Sequence, residues 1–158
     1  MNNLFILAPA VGVVALIFAL TLFGKINKVD RGTDRMQEIA SYIHEGSMAF
    51  LTREYKALAI FIVALFVILS FGINLLTAVA FLFGAVFSTL AGFIGMQAAT
   101  RANVRTANGA REGGMSKALS VAFSGGAVMG MSVVGLGILG IGAFYMFLVG
   151  PMGKDAGQ

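Results

Sequence analysis

The chain has 158 residues, of which 58% are hydrophobic and 11% charged, with a formal net charge of +4 and a mean hydropathy of +0.90. A soluble domain carries about 25% charged residues, so this chain could not cover its own apolar surface in water. That excludes a soluble enzyme. It also excludes a nucleic-acid module, because the basic residues punctuate hydrophobic runs rather than gathering on a polar face; with no cysteine, disulfides and thiolate metal sites are excluded too.

The first apolar run, residues 4–24, reads LFILAPAVGVVALIFALTLFG. A hydrocarbon core takes roughly 20 helical residues to cross, so this run is a span. Uncharged Met1-Asn2-Asn3 precedes it, and Lys25, Lys28, Arg31 and Arg35 follow it. A signal peptide has the opposite charge order, so a retained helix is expected. Pro9 lies near its start, where a lost backbone hydrogen bond is best tolerated.

Residues 33–56, TDRMQEIASYIHEGSMAFLTREYK, place Met36, Ile39, Ala40, Ile43, Ser47, Phe50 and Leu51 on one helical stripe. Asp34 followed by Gln37 resembles a capping box. Nothing breaks the pattern before Ala57, so one helix is predicted from about 34 to 72, close to 58 Å long at 1.5 Å per residue. Roughly half of it would project as a cytoplasmic amphipathic extension. Glu38, Glu45 and Glu54 dilute the basic face that anionic lipid favours, so packing against other helices is expected rather than a position flat on the membrane. His44 is the only histidine and has Met48, not a second ligand, four residues on. It reads as a polar surface or capping residue.

Residues 57–73 form a second span and 75–99 a third, joined by a tight Gly72-Ile73-Asn74 hairpin. A cytoplasmic loop is expected over about 100–117. Residues 118–150 make a fourth span, long enough to cross with tilt and ended by Gly150-Pro151. Gly84, Ser88 and Gly92 on the third span recur every four residues, with Ala91, Gly95 and Ala99 beside them, as do Ala118, Ala122, Gly126 and Gly130 on the fourth. Rows of this kind let membrane helices approach closely, and with almost no polar groups they read as packing faces rather than pore walls.

Of the 11 Lys and Arg residues, six lie in 25–56 and four in 101–117, leaving Lys154. Short cytoplasmic loops carry this excess, which puts both basic segments in the cytoplasm and both termini outside. The predicted fold is therefore all-α, one unit over 1–158. It is a polytopic membrane helical bundle of four transmembrane helices, N-out and C-out, with the second span extended into the cytoplasm. The location expected is integral and multi-pass, in the cell membrane of a prokaryote. No Asp, Glu, Lys, Arg or His falls within 4–24, 57–99 or 118–150. A proton relay or ion site cannot be built from these helices alone. GAREGGMSK (109–117) lacks the phosphate-loop pattern. Asp30, Asp34 and Asp155 are too scattered for a Mg2+–phosphate site. No catalytic, substrate-binding or metal-ligating residue is expected, and the chain alone is expected to be inactive.

Two stretches, IHEGSMAFLTREYK (43–56) and GMQAATRANVRTANGAR (95–111), resemble cytoplasmic motifs of the membrane-integral pyrophosphatases that translocate H+ or Na+. The order of first span, amphipathic entry helix and tight hairpin is similar too, over about 1–150. The resemblance implies that the complete pump hydrolyses Mg2+-bound pyrophosphate at a cytoplasmic acidic site and couples this to ion transport, with K+ as an optional activator. It implies a homodimer of polypeptides several times longer, with spans in an inner and an outer ring. This chain would supply outer-ring helices, while the aspartate-rich catalytic motifs lie on later ones. Glu45, Gly46, Arg53, Tyr55, Arg101, Asn103, Arg105 and Thr106 are then motif residues with a structural role, the arginines both anchoring orientation and packing among small residues. The polar ending PMGKDAGQ (151–158) reads as a cut in the loop after the fourth span, leaving a truncated product or one subunit of a split pump. A small non-enzymatic membrane scaffold built from the same helices is the alternative. A compact four-helix transporter is disfavoured by the neutral spans.

Overall fold

The computed structural model describes residues 2–146, with side chains from residue 7 onward. The end of the span expected at 118–150 and the 151–158 ending lie outside the described residues. Every element among the described residues is helical: α1 Asn2–Lys28, α2 Asp34–Gly72 and α3 Leu75–Phe144. Each contains a stretch long and apolar enough to cross a membrane.

α2 has the expected limits, but its start is capped differently. Thr33, not Asp34, is the N-cap, and its hydroxyl accepts from the Met36 amide at 3.4 Å. Asp34 is already the first helical residue, so the Gln37 side chain turns back one position earlier, donating to the Gly32 carbonyl at 3.0 Å. At the other end, the Ile73 and Asn74 amides both donate to the Leu69 carbonyl, at 3.0 and 3.1 Å. The Asn74 side chain then accepts from the Thr77 amide at 2.8 Å and starts α3. One asparagine thus closes the hairpin by capping the next helix.

The loop expected at 100–117 is helix. α3 runs through it and departs from helical torsions only at Gly114, with φ 70° and ψ −165°. The polar character of this stretch suggested a loop, but Ala and Arg are among the best helix formers and no proline interrupts them. The torsions at Gly114 are in practice open only to glycine. Here the chain doubles back, laying the limb 115–144 antiparallel on the limb 75–113. A Cβ placed on Gly125 would lie 2.8 Å from the Ala102 methyl, and one on Gly140 2.8 Å from the Phe87 ring. Gly114→Ala is expected to cost about 1–3 kcal/mol, read as a lower melting temperature in detergent; unchanged melting would show that the reversal does not depend on this torsion.

The seam between the limbs follows an alternation of four- and three-residue steps. Buried positions include Ala91, Gly95, Ala98, Ala102, Arg105 and Gly109 on the first limb and Ala118, Val121, Gly125, Val128, Ser132 and Gly135 on the second, Arg105 and Gly135 also meeting α1 or the turn after it. Alternating steps average 3.5 residues per turn and hold one line between supercoiled helices. The four-step rows expected to do this job turn 400° per step and drift about 40° each time. Most of their members leave the seam, while Ala91, Gly95 and Ala118 stay on it. A Cβ on Gly84, Gly126 or Gly130 would meet nothing within 4 Å, and Ser88 and Ala122 are exposed.

α1 lies parallel to the first limb and antiparallel to the second. Its core contact gathers Ile26, Ala98, Ala102 and Val128, flanked by Leu22, Phe23 and Ile94. Farther along, backbones nearly touch: a Cβ on Gly12 would sit 2.8 Å from the Gly135 carbonyl oxygen. Because α1 begins at Asn2, Pro9 falls inside the helix rather than in its first turn. Its ring fits over Gly142, where a Cβ would come within 2.7 Å of it.

α2 runs antiparallel to the first limb of α3, meeting it through His44, Met48 and Tyr55. The packed line differs from the expected stripe, for Ile39, Ile43 and Phe50 remain exposed. None of α2's most apolar window is buried, and Ile60 and Phe71 are 74% and 90% exposed. So large an apolar face calls for lipid or further helices around it.

Candidate functional site

The end of α1, the start of α2 and the middle of α3 converge where the basic residues cluster. Arg105 is central and only 2% exposed. Its Nε donates to the Val29 carbonyl at 3.0 Å, Nη2 to the Asn27 carbonyl at 3.3 Å and Nη1 to the Arg101 carbonyl at 2.7 Å. The last carbonyls of a helix have no intrahelical partner, and the negative end of α1's dipole points the same way. A guanidinium from another helix supplies what the end of α1 lacks. Burial lowers the Arg105 pKa, and the positive charges of Arg31 and Arg101 lower it further. An arginine remains charged through such a shift.

One turn on, Asn108 is 1% exposed. Its amide donates to the Asp30 carbonyl at 3.4 Å, and its oxygen accepts from Arg111 Nε and Nη2 at 3.1 and 2.9 Å. The Asp30 carboxylate accepts from the Gly32 amide at 3.1 Å, closing a tight turn. Gly32 has φ 81°, and a Cβ there would lie 2.8 Å from Asn108 Oδ1. The α1–α2 turn is therefore pinned to the middle of α3 by Arg105 and Asn108, with Arg111 holding the Asn108 side chain. At the exposed reversal, Glu112 accepts from Lys117 at 3.1 Å, and that bond, with a smaller one from Asn108, holds its carboxyl below the usual range.

Thr100 donates its hydroxyl to the Met96 carbonyl at 2.9 Å. Its oxygen lies 3.3 Å from His44 Nδ1. Tyr55 donates to the Thr89 carbonyl at 2.8 Å, tying α2 to α3 beyond Gln97, whose amide reaches Met48 Sδ at 3.6 Å. Beside these bonds lies a cleft of about 290 Å³ that includes Arg31, Gln37, Ser41, His44, Arg101 and Arg105 in its wall. The Arg101 guanidinium stands 5.1 Å from the centre of the Phe23 ring.

Among the described residues no three His, Asp or Glu side chains come together to hold a metal. They do not fit a Mg2+ site. Carbonyl capping, turn pinning and helix docking are what this arrangement performs.

Residues 13–156 match the sequence model of the family described as inorganic H+ pyrophosphatase. The chain belongs to this family. A Clostridium tetani protein named "Putative K(+)-stimulated pyrophosphate-energized sodium pump" is 53% identical over 131 residues, covering 83% of this chain and 19% of that protein. A K(+)-insensitive pyrophosphate-energized proton pump of Methanosarcina mazei is 44% identical over 134 residues, 84% of this chain and 20% of its own length. A K(+)-stimulated pyrophosphate-energized sodium pump of Thermotoga maritima is 45% identical over 130 residues, 82% of this chain and 18% of its own length. The chain thus spans about a fifth of the curated relatives it matches.

Of the motif residues of this pyrophosphatase-family chain, Arg101, Arg105 and Tyr55 enter the contacts just described. Glu45, Gly46, Arg53 and Asn103 are exposed and Thr106 is half-buried. Asn103 borders a shallow apolar groove with Met36, Ile39 and Ala107, and a Cβ on Gly46 would meet nothing within 4 Å. Sequence reading missed Asn108 and Gly32. The signal for Asn108 was its spacing, since positions 101, 105 and 108 share one face of a helix, but it was hidden by reading 100–117 as a loop.

Proposed function

We propose that this chain is the N-terminal part of a membrane pyrophosphatase that couples pyrophosphate hydrolysis to pumping of H+ or Na+, and that its helices brace the machine. Extensive identity to proteins named as pyrophosphate-energized pumps supports this reading most directly. The family match over 13–156 agrees with it. The chain carries the docking of α1 and α2 on α3, while the acidic Mg2+–pyrophosphate site, and any K+ requirement, belong to the rest of the pump, which works as a homodimer.

In this reading the two limbs of α3 are separate crossings, which with α1 and α2 makes four spans. The arginine-rich end faces the cytoplasm and both termini face outward, since Lys and Arg concentrate at 25–56 and 101–117. The absence of cysteine from the sequence makes this simple to test with single-cysteine variants in intact cells. A membrane-impermeant maleimide is expected to label Asn74→Cys from outside and to reach Glu45→Cys only after lysis; the reverse pattern would refute the orientation.

The function itself is tested by exchange. Replacing the matching segment of the Thermotoga maritima pump with residues 13–156 of this chain is expected to give a protein that hydrolyses pyrophosphate and takes up Na+. A chimera that melts like its parent but hydrolyses nothing would contradict the proposal.

A further inference from the structure

The arginine cleft has a feature that helix capping leaves unexplained. Arg31, Arg101 and Arg105 line one wall system with no acidic side chain among them. No ion pair is formed by Arg31 or Arg101 among the described residues, where the bridges are those of Arg35, Arg111 and Lys117. The positive charges of Arg31 and Arg101 bear on Arg105, and a cavity lined by three arginines without a countercharge favours an anion.

Arg101 also belongs to a second concavity. Toward the spans it borders an apolar groove of about 520 Å³, walled by Leu16, Leu20, Phe23, Ile94, Val128 and Leu136 among others. Gln97 lines this groove one turn below Arg101, and its buried carboxamide oxygen has no donor. Arg101 thus lines both the cationic cleft and the apolar groove along α1 and α3. Their order matches a phospholipid, charged head first and acyl chain below.

We propose that this composite site binds one anionic phospholipid, with its phosphate between Arg31, Arg101 and Arg105 and an acyl chain in the groove beside Phe23. Free phosphate would satisfy the cleft but leave the groove empty, and a neutral lipid would fill the groove but leave the charge uncompensated. Basic pockets between membrane helices hold anionic head groups in this way. The proposal rests on the reading that this end of the bundle lies at a membrane surface. The maleimide experiment tests that reading separately, since lipid binding in micelles does not depend on which side the site faces.

The test uses the purified 158-residue chain in detergent micelles, titrated with dioleoyl phosphatidylglycerol or dioleoyl phosphatidylcholine and read by native mass spectrometry. Phosphatidylglycerol is expected to be retained at least about tenfold better. The double variant Arg31→Gln/Arg101→Gln is expected to lose that preference, and Arg31→Gln alone, at an exposed turn residue, to lose part of it while keeping the parent's melting. Arg53→Gln, an exposed arginine outside the site, is expected to change nothing. Equal retention of the two lipids, full retention by the double variant, or a matching loss in Arg53→Gln would overturn the proposal. So would displacement of the lipid by millimolar inorganic phosphate, or dihexanoyl phosphatidylglycerol binding as well as the long-chain form, because each removes the need for the groove.

Discussion

Arg105→Ala is expected to be among the most damaging single substitutions in the described structure. It removes bonds to the carbonyls of Asn27, Val29 and Arg101 and empties a site where Arg105 itself is 2% exposed. Hydrogen bonds to a charged group contribute about 1.5–3 kcal/mol each. Water entering the new cavity would recover part of this, so a net loss of about 3 kcal/mol is expected. Detergent-solubilised protein should melt markedly earlier, and limited proteolysis should cut first in the 28–34 turn. Arg105→Lys should recover little, because one ammonium cannot span carbonyls that a planar fork reaches together. Melting of Arg105→Ala within a degree of the parent would show that the end of α1 is held by other contacts.

The second large effect is expected at the crossing of α1 with α3. A Cβ on Gly12 would lie 2.8 Å from the Gly135 oxygen and 3.1 Å from the Leu139 nitrogen, both backbone atoms. No rotamer change can relieve that, so the helices must separate. Overpacking of this kind costs about 1–3 kcal/mol even where side chains can adjust, and Gly12→Val should lie at or above that range. Loss of the Pro9–Gly142 contact would accompany it, because the same two rods make both. Gly46→Val, where an added Cβ meets nothing within 4 Å, is the matched control and should melt like the parent. If both variants melt alike, the close approach at Gly12 does not hold the bundle together.

Long-period features were legible in the sequence, and local geometry less so. The limits of α2 and the Asn74 break followed from hydrophobic length and the turn-prone Gly72-Ile73-Asn74. The 100–117 segment is helical where a loop is expected: its alanines and arginines extend α3, and the chain reverses at a single glycine torsion. Small residues were rightly associated with close packing, but a four-residue period does not stay on a supercoiled seam, so the rows of Gly84 and Gly126 turn away and the line of Ala98 and Ala102 packs instead. The polar knot was half visible. Arg101 and Arg105 drew attention as charges at the end of an apolar run, whereas the partners of Arg105 are backbone carbonyls of α1 and the turn after it, which no side-chain pattern announces.

The central claim is that this chain holds helices in place for a reaction carried out elsewhere in the pump. Its most direct test is the rate of pyrophosphate hydrolysis with Mg2+ in liposomes containing the purified chain alone, then the chain together with the remaining helices of the pump. No hydrolysis above that of empty liposomes is expected from the first sample, and activity is expected from the second. Hydrolysis or ion uptake by the chain alone would contradict the account.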